Sequence, residues 1–476
     1  MIRSFTNILF PLITYPYIAR ILSVEDLGRI NFGQSIISYF LLFAGLGITT
    51  FATRNGSQIR ESKDELSEFA NRMFSINLFS MIVSYCGLLI LLMLPTKIAD
   101  YRSIILLQGV AVILSPFAVD WLYNIEEDFG YITKRSIFVQ VVSLVLMLAL
   151  VKSSDDMYLY IAIMTLSSCF ANAFNFFHSR KYVRIRVVKD TKWSEYKKPI
   201  LTFFVNSIAS SIYLSSDMTL LGMLSSDYTT GLYGTATKIY SIFKQMFNAV
   251  VGTMLPRMAY LRKNDENEYE KLICKALNTV FVFVLPAMLG IIILRQEILL
   301  IISNENYLPA AKSLVILAIA LFFATLANLL VSGILICSGR EKKVAFATTV
   351  SAMENVLLNV IAIPLWNQDG AAFTTLLAEI TVCIIAVVNA RDVLKNIFDA
   401  TELLKCIFSS IVMATCLIVV QKIVVNLNLW IRVGVISILG GTIYFLLMLV
   451  MRSKTTKEMV NYLRDKIVLL MQRKEI

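Results

Sequence analysis

The run PILTFFVNSIASSIYLSSDMTLLGML (residues 199–224), the link SSDYTT (225–230) and the run GLYGTATKIYSIFKQMFNAVVGTML (231–255) decide how this chain folds. Each run exceeds the roughly 20 apolar residues that a helix needs to cross a bilayer. Neither alternates polar and apolar residues, as the strands of a membrane barrel would. Lipid offers backbone groups no hydrogen-bond partner, so a span outside a barrel must be a helix. Three charges, Asp217, Lys238 and Lys244, stand inside this hydrophobic sequence, and the most basic connection of the chain precedes it.

The same pattern fills the rest of the 476 residues, which are 57% hydrophobic and 16% charged. A soluble domain is nearer half apolar and a quarter charged. Charge-bounded apolar runs predict about 14 transmembrane helices, near 5–22, 32–53, 73–94, 103–125, 136–151, 157–177, 199–221, 231–255, 274–294, 311–337, 344–364, 370–390, 402–421 and 430–451. Residues 295–310 read as a connection with an interfacial piece. The expected class is an all-α polytopic membrane protein. Met1–Leu22 has no small-residue cleavage site and contains Pro11 and Pro16, so it reads as a first span and not as a signal peptide. Pro11, Pro16, Pro116 and Pro286 are expected to interrupt helices, and Gly45 and Gly47 to allow close approach or bending.

The net charge is +11. Of 44 Lys and Arg residues, 33 fall at the termini or in and beside the connections after even-numbered segments and nine in or beside those after odd-numbered ones, which leaves Lys238 and Lys244 well away from any segment end. By the positive-inside rule both termini are cytoplasmic and the number of spans is even. This distribution explains the basic charge without a nucleic-acid partner. The seven cysteines lie in or beside apolar runs with no CxxC pair, and the single histidine, His178, has no partner motif. Disulfides, a metal site and a histidine-dependent catalytic centre are therefore not expected, nor is any cofactor.

Two features suggest an internal repeat. Leu22-Ser23, Gly28 and Phe32 lie between segments 1 and 2, and Leu224-Ser225, Gly231 and Tyr233 lie between segments 7 and 8, about 202 residues later. Segments 4 and 10 both run into a charged turn (VDWLYNIEEDFGYITKRS, VSGILICSGREKKVAFATT). The expected organisation is two six-helix bundles, residues 1–177 and 199–400, related by a parallel pseudo-two-fold repeat. A basic cytoplasmic linker at 178–198 joins them. Two extra C-terminal helices follow at 401–451, then a basic amphipathic tail at 452–476 with Met459, Leu463, Ile467 and Leu470 on one face. Parallel repeats with a substrate path between them are a transporter design. The linker's basic residues either touch anionic headgroups or serve only topology.

The runs LFPLITYPYIARILSVEDLGRINFGQSIISYFLLFAGLGITTFATR (9–54), VDWLYNIEEDF (119–129) and SSDMTLLGMLSSDYTTGLYGTATKI (215–239) resemble the bacterial polysaccharide (O-antigen type) flippases. These belong to the multidrug, oligosaccharidyl-lipid and polysaccharide exporter superfamily. The resemblance covers about the first 390 residues. It departs at the start, where ten residues precede Pro11 and the family usually has about a dozen. It implies two bundles around a central cavity in the bacterial cytoplasmic membrane. It also implies alternating access that moves an undecaprenyl-diphosphate-linked oligosaccharide from the inner to the outer leaflet; H+ or Na+ is the coupling ion expected from the glutamates named below. A polysaccharide polymerase and glycosyltransferases would be its protein partners.

Such a substrate carries a diphosphate and a polar glycan, which need a wet and preferably cationic path. Lys244, near the middle of its segment, is the leading candidate, because a lysine there costs roughly 2.5–3.5 kcal/mol on insertion scales. Asn248 shares its face. Lys238 lies about 9 Å along the axis with Gln245 on its own face. The alternative for Lys244 is a pair within its own half, with Glu354 or Glu379; Lys238 could instead snorkel outward. Asp217 either pairs with Lys238 or holds a gate. Glu354 and Glu379, near mid-membrane, are coupling-ion candidates or else neutral hydrogen-bonded glutamates. Asp120 belongs to an interfacial helix-end cluster or to an inner gate. Arg54, Arg20 and Arg29 are headgroup contacts or interfacial anchors. The competing readings are a multidrug or cation exporter, which would want an acidic cavity, and a membrane glycan polymerase or acyltransferase, which would want a large outer loop or an embedded histidine.

Overall fold

The computed structural model describes residues 2–458, 460, 461 and 464, without the side chains of residues 2–8, 206, 209, 210, 213, 214 and 396. The amphipathic pattern at Met459, Leu463, Ile467 and Leu470 lies outside the described residues. The chain is helical throughout, with no strand among the described residues. Its helices are α1 (Ile2–Ile21), α2 (Val24–Gly45), α3 (Ile48–Gly56), α4 (Lys63–Met93), α5 (Arg102–Leu114), α6 (Asp120–Ile125), α7 (Phe129–Leu150), α8 (Met157–His178), α9 (Trp193–Leu224), α10 (Asp227–Asn264), α11 (Glu266–Ile293), α12 (Arg295–Ile302), α13 (Ala311–Leu329), α14 (Glu341–Ile397), α15 (Ala400–Ile423) and α16 (Leu429–Val450). Ten stretches among the described residues are long and apolar enough to cross a membrane.

Local chemistry explains where the helices start and break. Ser23 and Asp26 form a reciprocal capping box, so α2 begins at Val24, eight residues before the apolar run. It ends where Leu46 and Gly47 both take left-handed backbone, and α3 carries the rest of the predicted segment. The predicted helix over 103–125 is likewise divided. Pro116 sits in a 3-10 turn, Ser115–Ala118, and Val119 has a φ of 39°. Pro11, Pro16 and Pro286, by contrast, lie inside unbroken helices. Segments 11 and 12 meet at Asn367 (φ 50°), a turn so tight that α14 reads as one helix. A Cβ on Gly370 would stand 2.2 Å from the Ala362 carbonyl across that turn. The connection over 295–310 contains α12 and a 3-10 turn, and α13 continues into a π-helical turn at Leu330–Ile336.

The chain forms two compact units, Met1–Gly234 with Ala352–Ala371, and Thr235–Ser351 with Ala372–Ile476. In the first, α2 packs against α4, α5 and α9, while α8 packs against α5 and α7. One aromatic-rich core joins Phe51, Phe69, Trp121, Tyr123 and Ile200. In the second, α11 packs against α13 and α15, and α15 against α16.

Between helices in lipid, close packing and satisfied polar groups replace the hydrophobic drive. The tightest helix contact in the first unit is reciprocal. A Cβ on Gly28 of α2 would stand 1.8 Å from the Asp227 carbonyl oxygen of α10, and a Cβ on Gly231 of α10 would stand 2.0 Å from the Val24 carbonyl oxygen of α2. In each case a glycine meets the carbonyl four residues before its counterpart, and these are the two glycines that the sequence matches. Gly28→Ala and Gly231→Ala are each expected to destabilise the purified protein by about 1–3 kcal/mol, the usual cost of overpacking. Gly45→Ala, with open space around the new methyl, should leave the melting temperature unchanged.

Candidate functional site

In the second unit, α10 carries Tyr240 and Lys244 one turn apart, and the later arm of α14 brings Glu379 to them. Lys244 Nζ donates to Glu379 Oε1 at 2.6 Å, and the Tyr240 hydroxyl donates to the same oxygen at 2.8 Å. The ammonium also sits 5.3 Å from the Tyr240 ring centroid, a favourable cation–π position. The Glu379 side chain is 6% exposed and that of Lys244 is 24% exposed. The carboxylate is thus sealed in, while the lysine keeps part of its surface open. An ammonium has three donors, so Lys244 can hold Glu379 and still present N–H groups to an anion. Of the two partners that the sequence left open for this lysine, the structure pairs it with Glu379.

The neighbours on α10 extend this polar strip. Asn248, one turn beyond Lys244, buries its Oδ1 with no hydrogen-bond partner among the described residues. Gln245 is exposed, and Lys238, six residues before Lys244, is half-buried. A buried acceptor without a partner beside a partly open lysine is poised for a polar ligand.

In the first unit, Asp217 sits in a second polar cluster. The Tyr233 hydroxyl donates to Oδ2 and the Asn359 amide to Oδ1, both at 2.6 Å. Asn355 Oδ1 accepts from Ser216 Oγ at 2.9 Å and from the Asn359 amide at 3.2 Å. Asp217, Asn355 and Asn359 are all buried. Carboxylate and amide oxygens gathered in this way are the ligand type hard cations take. Asn355 and Asn359 follow Glu354 in sequence but belong to the Asp217 cluster, while Glu354 is half-exposed. Tyr233, Tyr240, Asn355 and Asn359 were not singled out as site residues. The i,i+4 asparagine pair in an apolar helix was the available signal, but it does not name its partner.

Two other clusters of the first unit hold Arg29 and Asp120. Arg29 Nε donates to Asp227 at 3.0 Å and the Tyr101 hydroxyl to the same carboxylate at 2.5 Å, beside the Gly28–Gly231 contact. Lys97 Nζ donates to the Ser225 carbonyl at 2.7 Å. Arg20 and Arg54 are exposed. Asp120 accepts from Asn175 at 2.8 Å and lies 3.8 Å from Arg135, a helix-end arrangement. Next to it, Asp128 caps α7 through Tyr131 N–H at 3.1 Å and accepts from the Tyr182 hydroxyl at 2.6 Å. His178 stacks on Tyr131 at 3.7 Å. The Tyr182 hydrogen bond is the main reason the Asp128 carboxyl titrates below its ordinary value.

A family model described as polysaccharide biosynthesis protein matches residues 1–262. A putative O-antigen transporter of Escherichia coli (strain K12) is 22% identical over 405 residues, covering 81% of this chain and 94% of its own length. The capsular polysaccharide biosynthesis protein CapF of Staphylococcus aureus is 21% identical over 390 residues, covering 80% and 94%. Among solved structures, the lipid II flippase MurJ in an inward closed conformation superposes with a TM-score of 0.76 at 17% identity, covering 96% of this chain and 99% of that one. This last likeness is one of fold.

Two outcomes follow from the geometry. Lys244→Met strands the buried Glu379 carboxylate and should destabilise the protein by about 3 kcal/mol, the lower end for a buried pair losing one partner. The double variant Lys244→Met/Glu379→Gln should recover most of that loss in thermal melts. For Asp128, a lowered folded pKa means stability that is present above the unfolded value and lost as pH falls through the folded one. Tyr182→Phe should therefore melt below wild type at pH 7, and the gap should begin to narrow as pH falls below the ordinary aspartate value, about 3.9.

Proposed function

This chain belongs to the polysaccharide biosynthesis protein family, and on that premise we propose that it flips an undecaprenyl-diphosphate-linked oligosaccharide, a repeat unit of a surface polysaccharide, across the bacterial cytoplasmic membrane. It acts as a secondary transporter and carries out no covalent chemistry. In this reading both termini are cytoplasmic, the spans number fourteen, and the repeats at 1–177 and 199–400 rock by alternating access. The reciprocal Gly28 and Gly231 contact supports the repeat, since equivalent positions meet as a two-fold would require.

The observation that carries the reading is Lys244. A lysine in the middle of a membrane helix, partly open and beside the unpartnered Asn248 oxygen, suits a phosphate-bearing headgroup. In the state described, its charge is balanced by Glu379. A diphosphate reaching the path competes with Glu379 for the ammonium, and the buried carboxylate so released takes up the coupling cation, H+ or Na+. The Asp217 and Asn355 side-chain oxygens offer a second place for that cation once the Asn359 amide that donates to both turns away. Glu354, Lys238 and Gln245 are secondary to these groups, and Arg20, Arg29 and Arg54 meet headgroups at the membrane faces. A cation exporter of the same superfamily is the competing reading. It would be favoured by an acidic path, whereas here the central carboxylate, Glu379, is already neutralised by a lysine.

Vesicles loaded with the purified protein should translocate the lipid-linked oligosaccharide. Lys244→Ala should lower the rate at least about tenfold, the loss expected for one charge-assisted hydrogen bond to substrate. Glu379→Gln and Asp217→Asn, compared under imposed pH or Na+ gradients, should remove gradient dependence in at least one. Wild-type restoration of surface polysaccharide by Lys244→Ala at wild-type protein level would overturn the assignment of the lysine.

A further inference from the structure

A lateral groove of about 810 Å³ runs along the first unit, walled by α2, α4, α9 and the linker between α8 and α9. Its wall is hydrocarbon: Phe43, Phe79, Val83, Val187, Trp193 and Leu201. Phe79, Val83 and Val187 are each more than half exposed. Of the four hydroxyl side chains in the wall, Ser75, Ser80, Ser84 and Thr191, the three serines are committed elsewhere. Ser80 and Ser84 of α4 donate to the Ala44 and Phe40 carbonyls of α2, both at 2.6 Å. Ser75 donates to the Asn71 carbonyl at 2.7 Å and accepts from Val188 N–H at 2.9 Å. The wall therefore has little hydrogen-bonding capacity for a sugar or a polar drug, and what fits it is an acyl chain.

The linker sets the level of the groove. Arg186 N–H donates to the Asn71 side chain at 2.6 Å, so residues 186–188 lie along α4 beside Arg72, the last charged residue of that helix. Above Arg72, α4 is uncharged to its end. From Ser75 to Gly87 the groove follows α4 for about 18 Å at 1.5 Å per residue. One leaflet of hydrocarbon is about 15 Å deep, half of a roughly 30 Å core. A tail of eleven isoprene units would overrun that length. At the charged end the linker exposes Arg184, Arg186, Lys189 and Lys192, and the first turns of α9 expose Lys197 and Lys198, with Asp190 and Glu195 as the acidic residues among them.

We propose that this groove seats one acyl chain of an anionic phospholipid, whose headgroup phosphate is met by the exposed cations of residues 184–192. The lipid holds the linker against α4 and so belongs to the resting architecture of the first unit, not to the transported cargo.

The test is native mass spectrometry of the purified full-length protein, titrated separately with phosphatidylglycerol, phosphatidylcholine and undecaprenyl phosphate. Wild type should retain one phosphatidylglycerol, with about tenfold preference over phosphatidylcholine, as expected for several basic residues near an anionic surface. Replacing Arg186, Lys189 and Lys192 together by Gln should remove that preference and leave weak binding of both phospholipids. Gly87→Leu and, independently, Val83→Phe fill the groove and should lower the occupancy of both phospholipids about tenfold, with melting in lipid-free detergent near wild type for at least one of them. Equal phosphatidylglycerol retention by wild type and by a well-folded groove-filling variant would overturn the proposal. So would displacement of phosphatidylglycerol from the groove by undecaprenyl phosphate.

Discussion

The pair between Lys244 and Glu379 is the interaction on which the account turns. Hydrocarbon tolerates neither an isolated ammonium nor an isolated carboxylate. Joined at 2.6 Å and braced by Tyr240, the two become a neutral group that the second unit can bury. Neutrality alone would be served as well by two apolar residues, which often stabilise more than a buried ion pair does. Keeping the charges makes sense where one of them must be lent to something else. The asymmetric exposure of the pair, with the acid sealed and the base partly open, points to the lysine as the charge that is lent.

The same logic runs through the first unit at a different scale. Asp217 is buried among a tyrosine and two asparagines, and Asp227 gathers Arg29 and Tyr101 at the closest approach of two helices. Gly28 and Gly231 make that approach possible by leaving room for each other's backbone carbonyls. A contact this tight has no tolerance for a methyl group, so it behaves as a fitted joint and not as a deformable surface.

Much of this was legible in the sequence, and what was not has specific causes. Uninterrupted apolar runs located the helices because lipid leaves a segment of that kind no alternative to helix. The start of α2 was misplaced because apolarity does not register a capping box at Ser23 and Asp26. Pro116 broke its helix as a proline should, while Pro286 did not, since a membrane helix can absorb the lost hydrogen bond. The turn at Asn367 falls in the gap between the two apolar runs 344–364 and 370–390, although how tight that turn is depends on backbone geometry that apolarity does not register. Lys244 stood out from its cost alone, but its partner did not, because Glu354 and Glu379 sit at similar depth and only packing distinguishes them. Asn355 follows Glu354 directly but belongs to the Asp217 cluster, because a helix turns residues one position apart toward different surroundings.

Whether Lys244 is kept for cargo or for the fold is the central question, and the double variant Lys244→Met/Glu379→Gln separates the two. It removes both charges together and leaves no buried ion behind. The direct measurement is the translocation rate of the lipid-linked oligosaccharide in vesicles, read alongside the melting temperature of the same preparation. If Lys244 is kept for cargo, the variant melts close to wild type and has lost transport. Transport at the wild-type rate by that variant would contradict that role.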